Sequence, residues 1–365
     1  MSNALRLHRL PSPLRMHRGG ELHEAVIAYE TWGRLNAARD NAILILTGMS
    51  PGAHAAAHPD DPNPGWWDEI VGPGKAIDSS RWFIICVNSL GSCRGSTGPA
   101  SVDPASGQPY RLQFPDLSLE DVALAAHQVV LGLGIECLHA LVGPSMGGMS
   151  ALAYALNVAS AAEHLLLVST APHSAPFSIA IRSLQRELIR SDPAWNGGDY
   201  QAGNWPTQGM TLARKLGMTT YRSAREWRQR FGRSRVADAE RDPAPFAPEF
   251  SVESYLAYQA SRFVNDFDPN CYLYLSRAMD WFDVADYGGS VAAGLARIQA
   301  RSAMVIGVET DLLFPLEQQE EIAEGLRDGG IPTLFAALPS IQGHDAFLVD
   351  TPRFAKAIAG YLATT

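Results

Sequence analysis

The feature that most constrains this sequence is the pentapeptide Gly143-Pro144-Ser145-Met146-Gly147, which separates two runs of different character. The run 138–142 before it is mostly apolar without alternation, as in a buried strand, and the alanine-rich run 149–159 after it is typical of a helix. Glycines beside a serine permit a sharp turn that leaves the hydroxyl exposed. We therefore predict a strand–turn–helix unit presenting Ser145 as a nucleophile; the plainer alternative is a Ser-Gly turn that only ends a strand.

Short buried strands alternate with helices on both sides of this turn. The patterns predict strands over 26–29, 42–46, 83–87, 165–169, 302–308 and 333–338, and helices over 117–132 and 354–362. This alternation predicts a mostly parallel sheet with helices on both faces. Together with the serine turn, it indicates the α/β-hydrolase fold.

The middle of the chain has a different sequence pattern. Residues 173–295 show helical periods and few strand-like runs. We expect residues 1–172 and 296–365 to form the core and residues 173–295 to form an inserted helical lid. A length of 365 residues suits one large domain with an insertion.

A serine nucleophile needs a base, and this fold supplies its partners in the order serine, acid, histidine. His344 follows the last predicted strands, whereas no other histidine lies beyond residue 173. Asp311 follows the strand predicted over 302–308 and is the preferred acid, with Glu309 as the competing candidate. An oxyanion hole would use the N–H of Met146 and a second N–H from the loop after the third strand, for which Leu46 is preferred.

Composition and charge exclude several functions. The net charge of −9 at pH 7 argues against a nucleic-acid partner. No run approaches the ~20 apolar residues of a membrane span, and the first twenty residues lack the apolar centre of a secretory signal. The four cysteines form no Cys-x-x-Cys pair and have no histidines nearby at metal-ligand spacing. We expect a cytoplasmic protein with no membrane partner and no bound metal.

Four motifs along the chain resemble those of the homoserine O-acyltransferase family. They are Ala28-Tyr29-Glu30-Thr31-Trp32-Gly33, Gly91-Ser92-Cys93-Arg94-Gly95-Ser96-Thr97-Gly98-Pro99, Ser145-Met146-Gly147-Gly148-Met149 and Asp268-Pro269-Asn270-Cys271-Tyr272-Leu273-Tyr274-Leu275. The resemblance covers nearly the whole chain and implies the same triad of Ser145, Asp311 and His344. It also implies that Arg214 and Asp345 hold the amino-acid acceptor. Acyl-CoA would be the co-substrate without a bound cofactor, and a homodimer would form through the lid.

Two departures concern substrate choice. Acetyl-transferring members usually have Gly-Gly-Ser-Met-Gly at the serine turn, where this chain has Gly-Pro-Ser-Met-Gly. They also differ from this chain in the loop after the third strand. In this chain we take that loop, Met49-Ser50-Pro51-Gly52, as the acceptor-specificity loop. The segment 176–187, with Trp195-Asn196-Gly197-Gly198 after it, resembles the branch that acts on L-serine with succinyl-CoA.

A succinyl group differs from acetyl by a carboxylate, for which arginine is the natural partner. Arg182, Arg186 and Arg190 are spaced by four, so they share one helix face. Arg182 aligns with a neutral residue of acetyl-transferring relatives and is the candidate for acyl-CoA specificity. The alternative is a solvated basic face paired with Glu187 or Asp192, and the basic run 222–235 is likewise interpreted as a solvated helix.

Three functions follow as hypotheses. The first is ping-pong acyl transfer through acyl-Ser145, with succinyl-CoA and L-serine preferred over acetyl- or succinyl-CoA and L-homoserine. The second is an esterase or thioesterase, in which water accepts the acyl group. The third is a non-catalytic binding protein, against which the intact serine, acid and histidine argue.

Overall fold

The computed structural model describes residues 4–201, 203–237, 241–264 and 266–365, and its centre is an eight-stranded sheet. The sheet order is β1-β4-β8-β5-β9-β10-β11-β12, antiparallel at β1–β4–β8 and parallel from β8 to β12. The strands are β1 (Arg6–Arg9), β2 (Leu14–Arg15), β3 (Glu21–Leu22), β4 (Val26–Trp32), β5 (Ala42–Leu46), β6 (Val71–Gly72), β7 (Ile77–Asp78), β8 (Phe83–Val87), β9 (Leu138–Pro144), β10 (Ala162–Val168), β11 (Ser302–Val308) and β12 (Thr333–Leu338).

The core lies on both faces of this sheet. Along β5, Ile43 and Ile45 belong to one buried cluster, and Leu44 and Leu46 belong to the other. Successive side chains of a strand point to opposite faces, so an unbroken apolar strand requires cover on both sides. The predicted mostly parallel sheet with helices on both faces is confirmed.

Helices supply that cover. They are α1 (Leu119–Gly132), α2 (Met146–Asn157), α3 (Pro176–Ser191), α4 (Thr207–Tyr221), α5 (Ala224–Phe231), α6 (Ser251–Val264), α7 (Pro269–Trp281), α8 (Val291–Leu295), α9 (Leu316–Asp328), α10 (Ala346–Val349) and α11 (Thr351–Leu362). Between β10 and β11, α3 packs against α4 and α7, and α4 packs against α6. No helix in the described part of the chain is both long and apolar enough to cross a membrane.

Two boundaries differ from the predicted ones for identifiable reasons. Helix α1 begins at Leu119 rather than at residue 117 because Ser118 caps it: its hydroxyl accepts from the N–H of Asp121, and the Asp121 carboxylate accepts from the N–H of Ser118. Strand β4 continues beyond residue 29 through the buried Glu30, whose carboxylate lies 2.9 Å from His54 Nδ1. A charged residue interrupts the apolar pattern by which a buried strand is predicted. The sequence does not show that the residue is buried when the side chain that pairs with it lies elsewhere in the chain.

Candidate active site

Ser145 occupies a strained turn between β9 and α2. Its φ and ψ are 57° and −127°, and its N–H donates to the Val168 carbonyl at 2.9 Å. The neighbouring glycines are needed for close approach: a Cβ on Gly143 would lie 2.2 Å from the Gly147 carbonyl oxygen, and a Cβ on Gly147 would lie 2.0 Å from the Leu46 carbonyl oxygen. This crowding holds the serine hydroxyl at the carboxyl edge of the sheet.

His344 joins Ser145 to Asp311 through two hydrogen bonds. Its Nε2 lies 2.8 Å from Ser145 Oγ, and its Nδ1 lies 2.8 Å from Asp311 Oδ2. The other Asp311 oxygen accepts from the N–H groups of Leu313 and Phe314, each at 2.9 Å, which fixes the carboxylate. Glu309, the competing acid, is exposed at the end of β11. The structure brings together the three residues that the sequence pattern selected.

The turn that carries His344, residues 343–345, is tied to two neighbouring segments. Gly343 has a φ of 67°, and its N–H donates to Thr310 Oγ1, whose hydroxyl donates to the Ser340 carbonyl. A Cβ on Gly343 would lie 2.8 Å from the Tyr221 carbonyl oxygen at the end of α4. The imidazole is therefore positioned by the loops after β11 and β12 and by the end of α4.

The electrostatics of His344 suit a general base. Burial lowers its pKa, but the charge of Asp311, the hydrogen bond that the Asp311 carboxylate accepts from the imidazole and the charge of Asp345 together raise it, so the net pKa lies above the ordinary 6.5. Asp311 is thus placed to stabilise the imidazolium that would form if His344 took the Ser145 proton.

The expected oxyanion donors lie beside this turn. Met146 begins α2, and the first N–H groups of a helix lack an intrahelical partner. Leu46 ends β5, and its backbone is next to Gly147. Leu46 is not among the cavity-lining residues, whereas Gly48 is. The assignment of the second donor to Leu46 stays a prediction.

A cavity opens at Ser145 between the carboxyl edge of the sheet and helices α3, α4 and α7. Its lining includes Met49, Ser50 and Pro51 of the predicted specificity loop, as well as Trp66. Gly52 does not line it; its carbonyl instead accepts from Trp66 Nε1 at 3.1 Å. The remaining lining residues are Gly48, Ser145, Ile181, Arg182, Gln185, Arg214, Thr220, Tyr221, Tyr272, Met279, Leu313, His344, Asp345, Phe347 and Leu348.

Arg214 of α4 and Asp345 of the 343–345 turn both line this cavity. The Arg214 guanidinium lies 4.4 Å from the Phe263 ring centre, and its buried Nε has no hydrogen-bond partner among the described residues. Burial raises the pKa of the Asp345 carboxyl, while the positive charge of Arg222 opposes that rise. A cation and an anion in one cavity match the two charges of an amino acid.

Arg222 is a residue that the sequence analysis missed. It precedes α5 and is largely buried; its Nε lies 3.3 Å from Asp345 Oδ2, and its Nη1 donates to Gln342 Oε1 at 2.7 Å. The interpretation of the whole run 222–235 as solvated is therefore wrong for Arg222. No local pattern could reveal it, since both partners are more than a hundred residues away in sequence.

Arg182 is 4% exposed and lines the cavity from α3. Its Nε donates to Asp280 Oδ1 at 2.6 Å, and its Nη2 donates to Ser174 Oγ at 2.5 Å. Its Nη1 is buried without a hydrogen-bond partner among the described residues. The alternative of a solvated side chain paired with Glu187 or Asp192 is wrong for Arg182.

Among the described residues, one group of possible metal ligands lies at the ends of β9 and β10 that are remote from Ser145. Ligand atoms of His139, Glu163 and His164 all lie within 4.8 Å of one another. His139 Nε2 is 3.1 Å from Thr365 Oγ1, and Glu163 forms a 2.8 Å ion pair with Arg301. These contacts already occupy His139 Nε2 and the Glu163 carboxylate, and the place of the group at the amino ends of the strands separates it from the cavity.

The fold is that of the α/β-hydrolase class, and the Ser–His–Asp arrangement has the geometry of the catalytic triad found in that class. A family model described as alpha/beta hydrolase fold matches residues 41–350. The serine O-succinyltransferase of Frateuria aurantia is 62% identical over 366 residues, with 100% of both chains covered. That of Stenotrophomonas maltophilia strain K279a is 60% identical over 358 residues, covering 98% of this chain and 97% of the relative.

Solved structures extend the comparison. Homoserine O-acetyltransferase from Bacillus anthracis superposes with a TM-score of 0.89 at 28% identity, covering 99% of this chain and 98% of that one. Esterase E22 superposes with a TM-score of 0.88 at 30% identity, covering 98% and 99%. The chain therefore belongs to the homoserine O-acyltransferase family of the α/β-hydrolase fold, and it is an acyltransferase. The family inferred from the sequence motifs is confirmed.

Proposed function

We propose that this enzyme transfers the succinyl group of succinyl-CoA to the hydroxyl of L-serine, yielding O-succinyl-L-serine and CoA. The observation that carries the proposal is the charge pattern of the cavity wall. Arg182 offers one buried donor, unpaired among the described residues, to the distal carboxylate of a succinyl group. Arg214 and Asp345 offer the complementary charges for an amino acid. The names of relatives at 60–62% identity support the same donor group and acceptor.

In the first half-reaction, His344 Nε2 takes the Ser145 proton and the serine oxygen attacks the thioester carbonyl. The N–H groups of Met146 and Leu46 stabilise the oxyanion. When the tetrahedral intermediate collapses, the carbon–sulfur bond breaks and CoA leaves with the proton from His344. The product of this half is succinyl-Ser145.

In the second half-reaction, L-serine occupies the space that CoA has left. Arg214 binds its carboxylate, and Asp345 binds its ammonium group. His344 removes the proton from the hydroxyl of L-serine, and the hydroxyl oxygen attacks the succinyl carbonyl. When the bond between the succinyl carbonyl and the Ser145 oxygen breaks, Ser145 recovers its proton from His344. One ester bond forms as the other breaks.

The ester intermediate must be protected from water. We assign that task to the helices within residues 173–295, because α4 packs against the His344 turn and α3 supplies Arg182. Exposed apolar side chains on α3 and α4, namely Phe177, Leu184 and Leu212, suit a homodimer contact through this lid. A cytoplasmic location stays a prediction.

Two other functions have specific support. Homoserine O-acetyl- or O-succinyl transfer is favoured by the similarity to homoserine O-acetyltransferase, and the Met49–Pro51 loop would have to distinguish serine from the longer acceptor. A pocket distinguishes one methylene by only about 1–3 kcal/mol. Hydrolysis is favoured by the similarity to esterase E22.

The test is CoA release from succinyl-CoA and from acetyl-CoA, each with L-serine, L-homoserine or no acceptor. We expect rapid release only from succinyl-CoA with L-serine, and none from a Ser145→Ala variant. Turnover of acetyl-CoA with L-homoserine would assign the other branch of the family. Release without an acceptor at the same rate would assign a thioesterase.

A further inference from the structure

We propose that Asp280 is a positioning residue for the donor specificity of this enzyme, acting by holding Arg182 in place for the succinyl carboxylate. The inference rests on the proposed succinyl transfer and extends it to a residue outside the cavity lining. Asp280 lies in the last turn of α7, and its side chain is 7% exposed.

The carboxylate of Asp280 lies between two arginines of α3. Its Oδ1 accepts from Arg182 Nε at 2.6 Å, and its Oδ2 lies 2.7 Å from Arg186 Nη1. Arg186 also donates to Ser276 Oγ, one turn earlier on α7, at 2.9 Å. One carboxylate therefore fixes α7 against the basic face of α3.

A second contact completes the support of Arg182. The Ser174 hydroxyl donates to the Met279 carbonyl at 2.8 Å, so its oxygen is oriented to accept from Arg182 Nη2. Because Arg182 donates from Nε to Asp280 and from Nη2 to Ser174, the plane of its guanidinium is fixed. Nη1 is left for a ligand, and it is the Arg182 nitrogen that no described residue pairs.

The charges point to an anionic ligand. Arg182 and Arg186 carry two positive charges against the single negative charge of Asp280, so within this group of three one positive charge stays uncompensated at a mostly buried site. An uncompensated buried charge is unfavourable, and the carboxylate of a succinyl group would neutralise it. An acetyl group would not. Asp280 thus both orients the arginine and limits the excess charge to one.

The test compares donor preference in two variants that alter the support of Arg182 while leaving Arg182 itself intact. Asp280→Asn keeps the shape of the side chain and removes its charge. We expect its kcat/KM for succinyl-CoA to fall by about tenfold to 100-fold, with acetyl-CoA turnover changed by less than about threefold. Ser174→Ala removes one neutral contact and should lower the same preference by a smaller factor.

A matched control is Asp116→Asn. Asp116 pairs with Arg277 of the same helix α7 at 2.6 Å, but on an exposed surface away from the cavity. This variant should retain the wild-type donor preference.

The outcomes separate the inference from the proposed function. A wild-type enzyme without a preference for succinyl-CoA would overturn the proposed function. A different result is that the wild-type enzyme prefers succinyl-CoA while Asp280→Asn keeps the same ratio of kcat/KM for succinyl-CoA to that for acetyl-CoA. Such a result, whether both values fall equally or neither falls, would show that Asp280 has no part in donor specificity. Should Asp280→Asn fail to fold, Asp280→Glu is the second variant: it keeps the charge but moves the carboxylate by one methylene, so an unchanged donor preference would show that Asp280 does not position Arg182.

Discussion

At the scale of single residues, the pH dependence of His344 offers a direct probe of the triad. His344 must be neutral to accept the Ser145 proton, so kcat/KM for succinyl-CoA should rise with pH through a pKa above 6.5. Asp311 favours the protonated imidazole, so Asp311→Asn should move that limb to lower pH. It should also reduce kcat by about 10⁴-fold, as the loss of such an acid does elsewhere.

A pH–rate profile of both enzymes checks this prediction. Glu309→Gln is the matched control because Glu309 is an exposed acid two residues from Asp311. Equal losses in the two variants would remove the basis for preferring Asp311.

Arg222 provides a second residue-scale prediction. Burial raises the pKa of Asp345 and the charge of Arg222 lowers it, so Arg222→Gln should raise that pKa further. Since Asp345 must be ionised to bind the serine ammonium group, the acidic limb of kcat/KM for L-serine should move to higher pH. The acidic limb of the pH profile of kcat/KM for succinyl-CoA should move less.

The control is Arg225→Gln, which changes an exposed arginine of α5. A wild-type profile for L-serine in Arg222→Gln would contradict the assignment of Asp345 to the ammonium group.

At the scale of elements, the close contact of β5 and α2 determines where Ser145 lies. A Cβ added at Gly147 would overlap the Leu46 carbonyl, so Gly147→Ala should destabilise the fold by about 1–3 kcal/mol and displace the nucleophile. By contrast, no atom of the described residues lies within 4 Å of a Cβ added at Gly360 of α11. Gly360→Ala should stabilise the fold by about 0.5–1 kcal/mol. Urea unfolding and CoA release measure both effects; similar unfolding midpoints for the two variants would refute this account.

The elements also show which features local patterns can predict. The strand expected over 42–46 matches β5 because an unbroken apolar run needs two covered faces, and the order of strands along the chain selected His344. Arg222 and Asp280 were not predicted. Their proposed roles depend on pairing between segments far apart in sequence, Arg222 with Asp345 and Asp280 with Arg182. No spacing rule encodes how the helices between β10 and β11 pack.

At the scale of the whole molecule, the exposed apolar side chains of α3 and α4 predict self-association. Light scattering should give the mass of two chains, and Leu184→Arg should reduce it to one by placing a charge in the apolar contact. Leu131→Arg is the control, since Leu131 is similarly exposed but lies on α1 of the core. A monomeric wild-type protein, or a dimer that persists in the Leu184→Arg variant, would exclude a dimer contact through Leu184.

The central claim is that Ser145 carries a succinyl group that L-serine, and not water, removes. The most direct measurement is peptide mass mapping after mixing the enzyme with succinyl-CoA, followed by a chase with L-serine or with buffer alone. We predict one succinyl group on the Ser145 peptide, rapid discharge to O-succinyl-L-serine, and slow loss in buffer. An unmodified Ser145 peptide, or discharge equally fast without L-serine, would contradict the account.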